Sequence, residues 1–164
     1  MNKLKWIVVC LTLLAPASSF AVGISLSAGG GYLHPKAPEL KDSLKAALEL
    51  APFHEILDLV RLEVPVEMQL KPTQIFAIRP GVKVFFPIVG LYARAGYGLG
   101  NIKGTGGVTH SGILGVGWQL ALLDTIGVFF EGTYEPMLKY DSAVITGGRP
   151  QTVMLRIGAL LDLD

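Results

Sequence analysis

Two short stretches of the chain invite a chemical reading. The first is His110-Ser111, with Glu131 and Glu135 further along. An imidazole, a hydroxyl and a carboxylate are the parts of an acyl-transfer site, in which the histidine takes the serine proton through a shared hydrogen bond. Adjacent residues of a strand point to opposite faces, so this pair is split, with His110 on the apolar side and Ser111 on the polar side. The second stretch is GYGLGNIKGTGG at 96–107. It is glycine-rich like a phosphate loop, but it lacks the Gly-Lys-Ser/Thr ending and leads into a strand pattern. No helix N-terminus is then at hand for an anion, and the stretch reads as a surface loop. His34 and His54 lie in loop or turn sequence without ligand spacing, so neither a metal nor another cofactor is expected. The expectation is a protein without catalysis.

The elements that would position these residues are strands. The chain ends in TVMLRIGALLDLD, where Val153, Leu155, Ile157, Ala159, Leu161 and Leu163 share one parity. Thr152, Met154, Arg156, Gly158, Leu160 and Asp162 fall on the other, which is the more polar and smaller set. A period of two marks a strand with one apolar face. The same alternation runs through 22–33, 60–71, 75–86, 89–100, 108–122 and 125–135. Segments of about ten alternating residues divided by turn residues are the pattern of a transmembrane β-barrel.

Two stretches need separate treatment. Residues 113–130, ILGVGWQLALLDTIGVFF, are long and apolar enough for a membrane helix. Gly115, Gly117, Gly127 and the turn-like Leu123-Asp124-Thr125 favour a hairpin of two strands instead. Between His34 and Leu59, Leu40, Leu44 and Leu48 have helical spacing, while Leu44, Ala46, Leu48 and Leu50 alternate with Lys45, Ala47 and Glu49. Single-chain bacterial barrels have even strand numbers. Seven clear strands therefore call for an eighth, expected near 44–51, with a short helix in the 38–51 region as the alternative. The fold class expected is all-β, an antiparallel up-and-down transmembrane barrel of eight strands. Pro87-Ile88 and Leu123-Asp124 become inner turns, Gly100–Gly107 and Lys139–Arg149 outer loops, and both termini periplasmic.

A soluble barrel also alternates, with its apolar face inward. Here the polar face is glycine, serine and alanine with a few long charges, which suits a narrow packed lumen, since glycine on a solvent face weakens a strand for no gain. The inward charges are Arg61, Glu63, Glu67, Arg79, Lys83, Arg94, Glu131, Glu135, Arg156 and Asp162. Buried charges must be paired to be tolerated, so this near-balanced set is expected to form a lumen ion-pair network. Tyr32, Tyr97 and Tyr134 fall on the apolar parity near one set of strand ends, Phe86 and Trp118 near the other. They are the expected aromatic girdles at the two membrane interfaces.

Composition agrees. Mean hydropathy is +0.49, and charged residues make up only 16% of the chain. Lys3 and Lys5, the apolar run 6–14 and Ser19-Phe20-Ala21 read as a signal peptide at 1–21, leaving the barrel at 22–164. Cys10 is the only cysteine and leaves with it, which removes disulfide and thiol chemistry. With 14 basic and 13 acidic residues there is no basic footprint for nucleic acid.

This pattern resembles the small eight-stranded outer-membrane barrels, the OmpA/OmpX-like transmembrane family. Gly158, Leu161 and Leu163 match the family's C-terminal assembly signal, glycine followed at spaced positions by two apolar residues, with leucine where the family usually ends in an aromatic. The resemblance implies residence in the outer membrane, contact with its lipid, recognition of the last strand by the barrel-assembly machinery, and a monomer. Some barrels of this size are lipid A deacylases, but those space histidine and serine by one residue, unlike His110-Ser111. The function implied is a structural, envelope or surface-interaction role. A narrow channel, a lipid-modifying enzyme and a soluble periplasmic ligand-binding barrel are the alternatives.

Overall fold

The computed structural model describes residues 20–34, 44–71, 74–86, 89–103, 107–140 and 150–163. They form eight antiparallel strands in chain order. β1 is Phe20–His34 and β2 is Leu44–Ile56. β3 is Val60–Glu63 continued as Val66–Lys71, and β4 is Ile75–Ile78 continued as Gly81–Phe86. β5 is Leu91–Ile102, β6 Val108–Ala121, β7 Ile126–Tyr140 and β8 Gln151–Asp162. Each strand pairs with its neighbours in sequence, and β8 pairs back onto β1 from Gly23↔Asp162 to His34↔Gln151. The sheet is a closed barrel with no free edge.

Proline explains the two interrupted strands. Pro65 and Pro80 cannot donate to a ladder, so regular pairing lapses beside them. Their carbonyls still accept, from Arg79 N at 2.8 Å and Tyr97 N at 2.9 Å. Inner turns are tight. Leu57 and Asp58 take φ of 58° and 53°, and Gly90 takes 66°, a region that suits glycine but costs the other two.

The strand expected near 44–51 and the hairpin expected over 113–130 both form, while several element bounds need correction. Residues 44–51 are strand, not helix, and β2 runs on to Ile56; residues 38–43 lie outside those described. His54 is therefore a strand residue, as is His34 at the end of β1. The stretch 113–130 is a hairpin rather than a membrane helix, with its turn at 122–125. β7 continues to Tyr140, beyond the expected end at 135, pairing on with β6 through a register shift at which Ser111 faces Met137 and His110 faces Lys139. The outer connections begin later than expected, since Gly100–Ile102 and Lys139–Tyr140 are strand. Pro87-Ile88 and 141–149 lie outside the described residues, as do 1–19. β1 begins at Phe20, whose backbone and that of Ala21 pair with Ile56 and Glu55.

Facing follows parity. Leu26, Leu50, Leu62, Val116, Leu155 and Ile157 point outward, with Val116 at 69% and Leu155 at 73% exposure. Most of the charges within the strands point in.

Candidate functional site

The lumen is the part of this molecule where polar groups converge. Between Gly23 and Gly31, β1 lends it only small side chains, Gly23, Ser25, Ser27, Gly29 and Gly31, and this makes room for long ones from other strands. A Cβ on Gly29 would lie 2.8 Å from Arg156 Cγ.

Five cations and five carboxylates fill the centre. Arg94 Nη1 donates to Glu131 Oε1 at 2.5 Å, and its Nη2 lies 3.3 Å from Glu49 Oε1. Its Nε is 2.7 Å from Glu63 Oε1, a charge contact without hydrogen-bond alignment. Lys83 bridges Glu63 at 3.1 Å and Glu131 at 3.2 Å. Arg156 reaches Glu67 at 2.5 Å and Glu135 at 3.0 Å. Arg79 bonds the same two carboxylates, Glu135 at 2.5 Å. Lys45 completes the outer side, 2.9 Å from Glu135 and 3.1 Å from Glu67. Nearer the inner end, Arg61 pairs with Glu55 and donates to Gln119 Oε1 at 2.9 Å.

The pairs are of two kinds. Some join neighbouring strands, Arg61 with Glu55, Lys83 with Glu63 and Arg156 with Glu135. Others cross the lumen, Arg94 on β5 to Glu49 on β2 and Glu131 on β7, and Arg79 on β4 to Glu135 on β7. The crossing pairs are needed because like charges also stand directly opposite on adjacent strands, Arg61 and Lys83, Lys83 and Arg94, Glu49 and Glu67, and such neighbours repel.

Nine of the ten charges singled out in the sequence meet in this way. Asp162 is half-buried at the inner end of β8. Sequence reasoning missed Lys45, Glu49 and Glu55, because the strand that carries them was ambiguous with a helix. Strict period two would put Lys71 on the lumen side with Glu67 and Gln69. A bulge between Ala46 and Ala47 pairs Ala46 with Lys71 but Ala47 with Gln69, so Leu70 is the extra residue. Lys71 leaves the lumen parity and lines the outer wall.

The network rests on an aromatic floor that the period-two reading also overlooked. Phe53, Phe85, Tyr92, Phe129 and Leu160 are buried in the inner half. The Arg61 guanidinium lies 4.1 Å from the Phe53 ring centre, and Lys83 Nζ lies 4.8 Å from that of Phe129. The signal for these rings was present as glycine. Gly23 is paired with Phe53, Gly117 with Tyr92 and Gly158 with Phe129. A Cβ at any of the three would come within 2.2–2.4 Å of the opposing ring. Gly158 thus has a packing reason of its own, besides its place in the C-terminal motif. Towards the outer end Leu33, Ile102 and Met154 are buried.

The other candidate residues sit on the wall or rim. Tyr32, Tyr97 and Tyr134 are 50%, 40% and 39% exposed, and Phe86 and Trp118 are 57% and 41%. Tyr134, Val153 and Tyr32 are consecutive neighbours across β7, β8 and β1; Phe86, Leu91, Trp118 and Phe130 are consecutive across β4 to β7. β7 extends six residues past Tyr134, so that ring lies inside the strand end. Leu161 and Leu163 face outward at 41% and 61%. His110 Nδ1 is 2.6 Å from the Tyr97 hydroxyl, at a bulge between His110 and Ser111. Among the described residues no group of His, Cys, Asp or Glu is placed to hold a metal ion.

No protein-family model and no curated protein matches the chain. Solved structures do. The crystal structure of Neisserial surface protein A (NspA) superposes with a TM-score of 0.55 at 13% identity, covering 88% of this chain and 97% of that one. The solution NMR structure of the de novo designed TMB2.3 gives 0.50 at 8%, covering 88% and 96%. Another chain, from the de novo design of transmembrane β-barrels, gives 0.50 at 9%, covering 86% and 95%. At such identities the likeness is one of fold, and the fold is that of small transmembrane β-barrels.

Proposed function

We propose that this chain is an integral protein of a Gram-negative outer membrane, exported by a signal peptide at 1–21, with a structural or surface-interaction role and no catalysis. One observation carries the reading. The molecule is inverted relative to a soluble barrel, with paired charges inside and a broad apolar wall outside. A soluble ligand-binding barrel needs the reverse facing, whereas hydrocarbon needs this one. Closure of β8 on β1 supports it too, because no strand edge can be left open in lipid.

The lumen supports a plug rather than a pore. Its side chains are bonded to one another across the bore, between an aromatic floor and outer apolar residues. The wall contacts outer-membrane lipid, the exposed side of β8 offers Leu161 and Leu163 to the assembly machinery, and the protein is a monomer. Serine chemistry at His110-Ser111 is not favoured, since the His110 Nδ1 contact is with Tyr97. Cell fractionation tests the reading. Recovery with outer membranes, and a gel mobility that changes on boiling, is the expected result; recovery in osmotic-shock fluid overturns it. Discrete conductance of the purified protein in planar bilayers would replace the plug with a channel.

A further inference from the structure

The outer wall carries a groove that barrel closure does not require. It is lined at the outer ends of β8, β1, β2 and β3 by Gly30, Tyr32, Leu44, Lys71, Val153 and Leu155, with a volume of about 580 Å³. Gly30 forms part of its floor for no local reason. Its φ is not left-handed, and a Cβ there would meet nothing closer than Lys45 O at 3.9 Å. Alanine would fit and would bury more surface in lipid, so glycine keeps the groove open.

The bulge supplies the second feature. By inserting Leu70 it turns Lys71 out of the lumen register and onto the groove, at the outer water boundary. Bulges commonly serve to re-aim a side chain. The exposed charges of the described residues also differ between the two rims. Among the described residues the exposed charges at the outer end are Lys71, Lys103 and Lys139, and those at the inner end are Asp58 and Asp124. Cations at a membrane boundary are attracted to anionic headgroups.

We propose that this groove is a seat for the phosphorylated glycolipid of the outer leaflet, with an acyl chain lying over Gly30 between Tyr32, Leu44, Val153 and Leu155, and a headgroup phosphate at Lys71. The proposal rests on the outer-membrane reading above. Apolar walls take the chain, small floor residues give it depth, and the lysine meets the one strongly anionic group of that lipid.

The test uses the full-length protein, folded in neutral detergent, with purified lipid A as probe and retained lipid counted by native mass spectrometry. Chemically dephosphorylated lipid A and inorganic phosphate are the comparison arms. The wild type should retain lipid A about five-fold better than the dephosphorylated form, the scale set by one interfacial lysine. Lys71→Gln should remove that preference, and Gly30→Leu should weaken retention of both lipids. Neither residue belongs to the lumen network, and heat-modifiable mobility verifies that each variant has folded. Folded variants that retain both lipids like the wild type overturn the proposal, as does displacement of lipid A by millimolar inorganic phosphate. Fractionation reports separately on membrane residence, so a periplasmic location sinks the underlying reading, not merely the groove.

Discussion

Glycine is the residue on which the lumen turns. Its usual cost in a strand is lost packing, but here each of three glycines is covered by an aromatic ring from the residue directly opposite. Gly158 under Phe129 is the clearest, with ring atoms 2.4 Å from where a Cβ would stand. Gly158→Val should therefore destabilise the barrel by about 1–3 kcal/mol through overpacking. Adding Phe129→Ala should recover part of that loss, because the cavity accepts the new methyls. Urea unfolding of the folded protein in lipid vesicles measures both, and additive losses would show that ring and glycine are not coupled. A different residue effect operates at the inner turn, where Leu57 has φ of 58°. Leu57→Asn should stabilise by up to about 1 kcal/mol, since asparagine adopts that region at lower cost. The same unfolding assay reads the gain.

At the scale of the strand, the wall between the two aromatic rows is the strictest environment. Val116 on β6 lies between Leu114, beside Tyr134, and Trp118, so its depth is near the middle of the apolar band. Val116→Arg should cost about 2–4 kcal/mol there, whereas the cost falls towards the interfaces. A spin label at 116 should be masked from water by lipid; rapid quenching by a water-soluble relaxation agent would reverse inside and outside. The last strand is the other decisive element. β8 holds Arg156 in the network and its backbone closes onto β1. Deleting 158–164 should leave exported but unassembled protein that is degraded in the periplasm, as seen by pulse-chase of the envelope. Stable, heat-modifiable protein after the deletion would show that this strand does not close the barrel.

At the scale of the molecule, the network couples every long strand that carries a charge to one across the bore. Such pairs are weak sources of net stability, since both ions are desolvated, but removing one partner strands the other. Arg94→Met leaves Glu49, Glu63 and Glu131 short of a cation and should cost about 3–5 kcal/mol by the same measure. Glu131→Gln in that background should recover part of it. Pairs between adjacent strands would survive in an open sheet, but the pairs that cross the bore form only on closure, so these favour the closed barrel over open alternatives. An Arg94→Met variant as stable as the wild type would remove that argument.

Much of this was legible before any coordinate. Alternation is a local property, so the strands, their apolar face and the inward charges of β3, β4, β5, β7 and β8 follow from residue parity alone. The even strand count placed β2, although its helical and extended periods coincide over 44–50. What parity cannot carry is any feature that breaks it or spans the bore. The bulge at Ala46/Ala47 shifts parity by one, and so Lys71 moved from lumen to wall. Phe53, Phe85 and Phe129 look like interruptions of a polar face until the glycines on the adjacent strands are set opposite them. Which carboxylate meets which guanidinium depends on strand tilt and closure, which bring together residues as distant as Arg156 and Glu67. The sequence by itself determined which side of each strand faces outward, because that depends on one residue and its neighbours two away. Only the rolled and closed sheet decided the pairing across the bore, because such a charge is satisfied by whatever stands on the far side of the lumen, and nothing local specifies that.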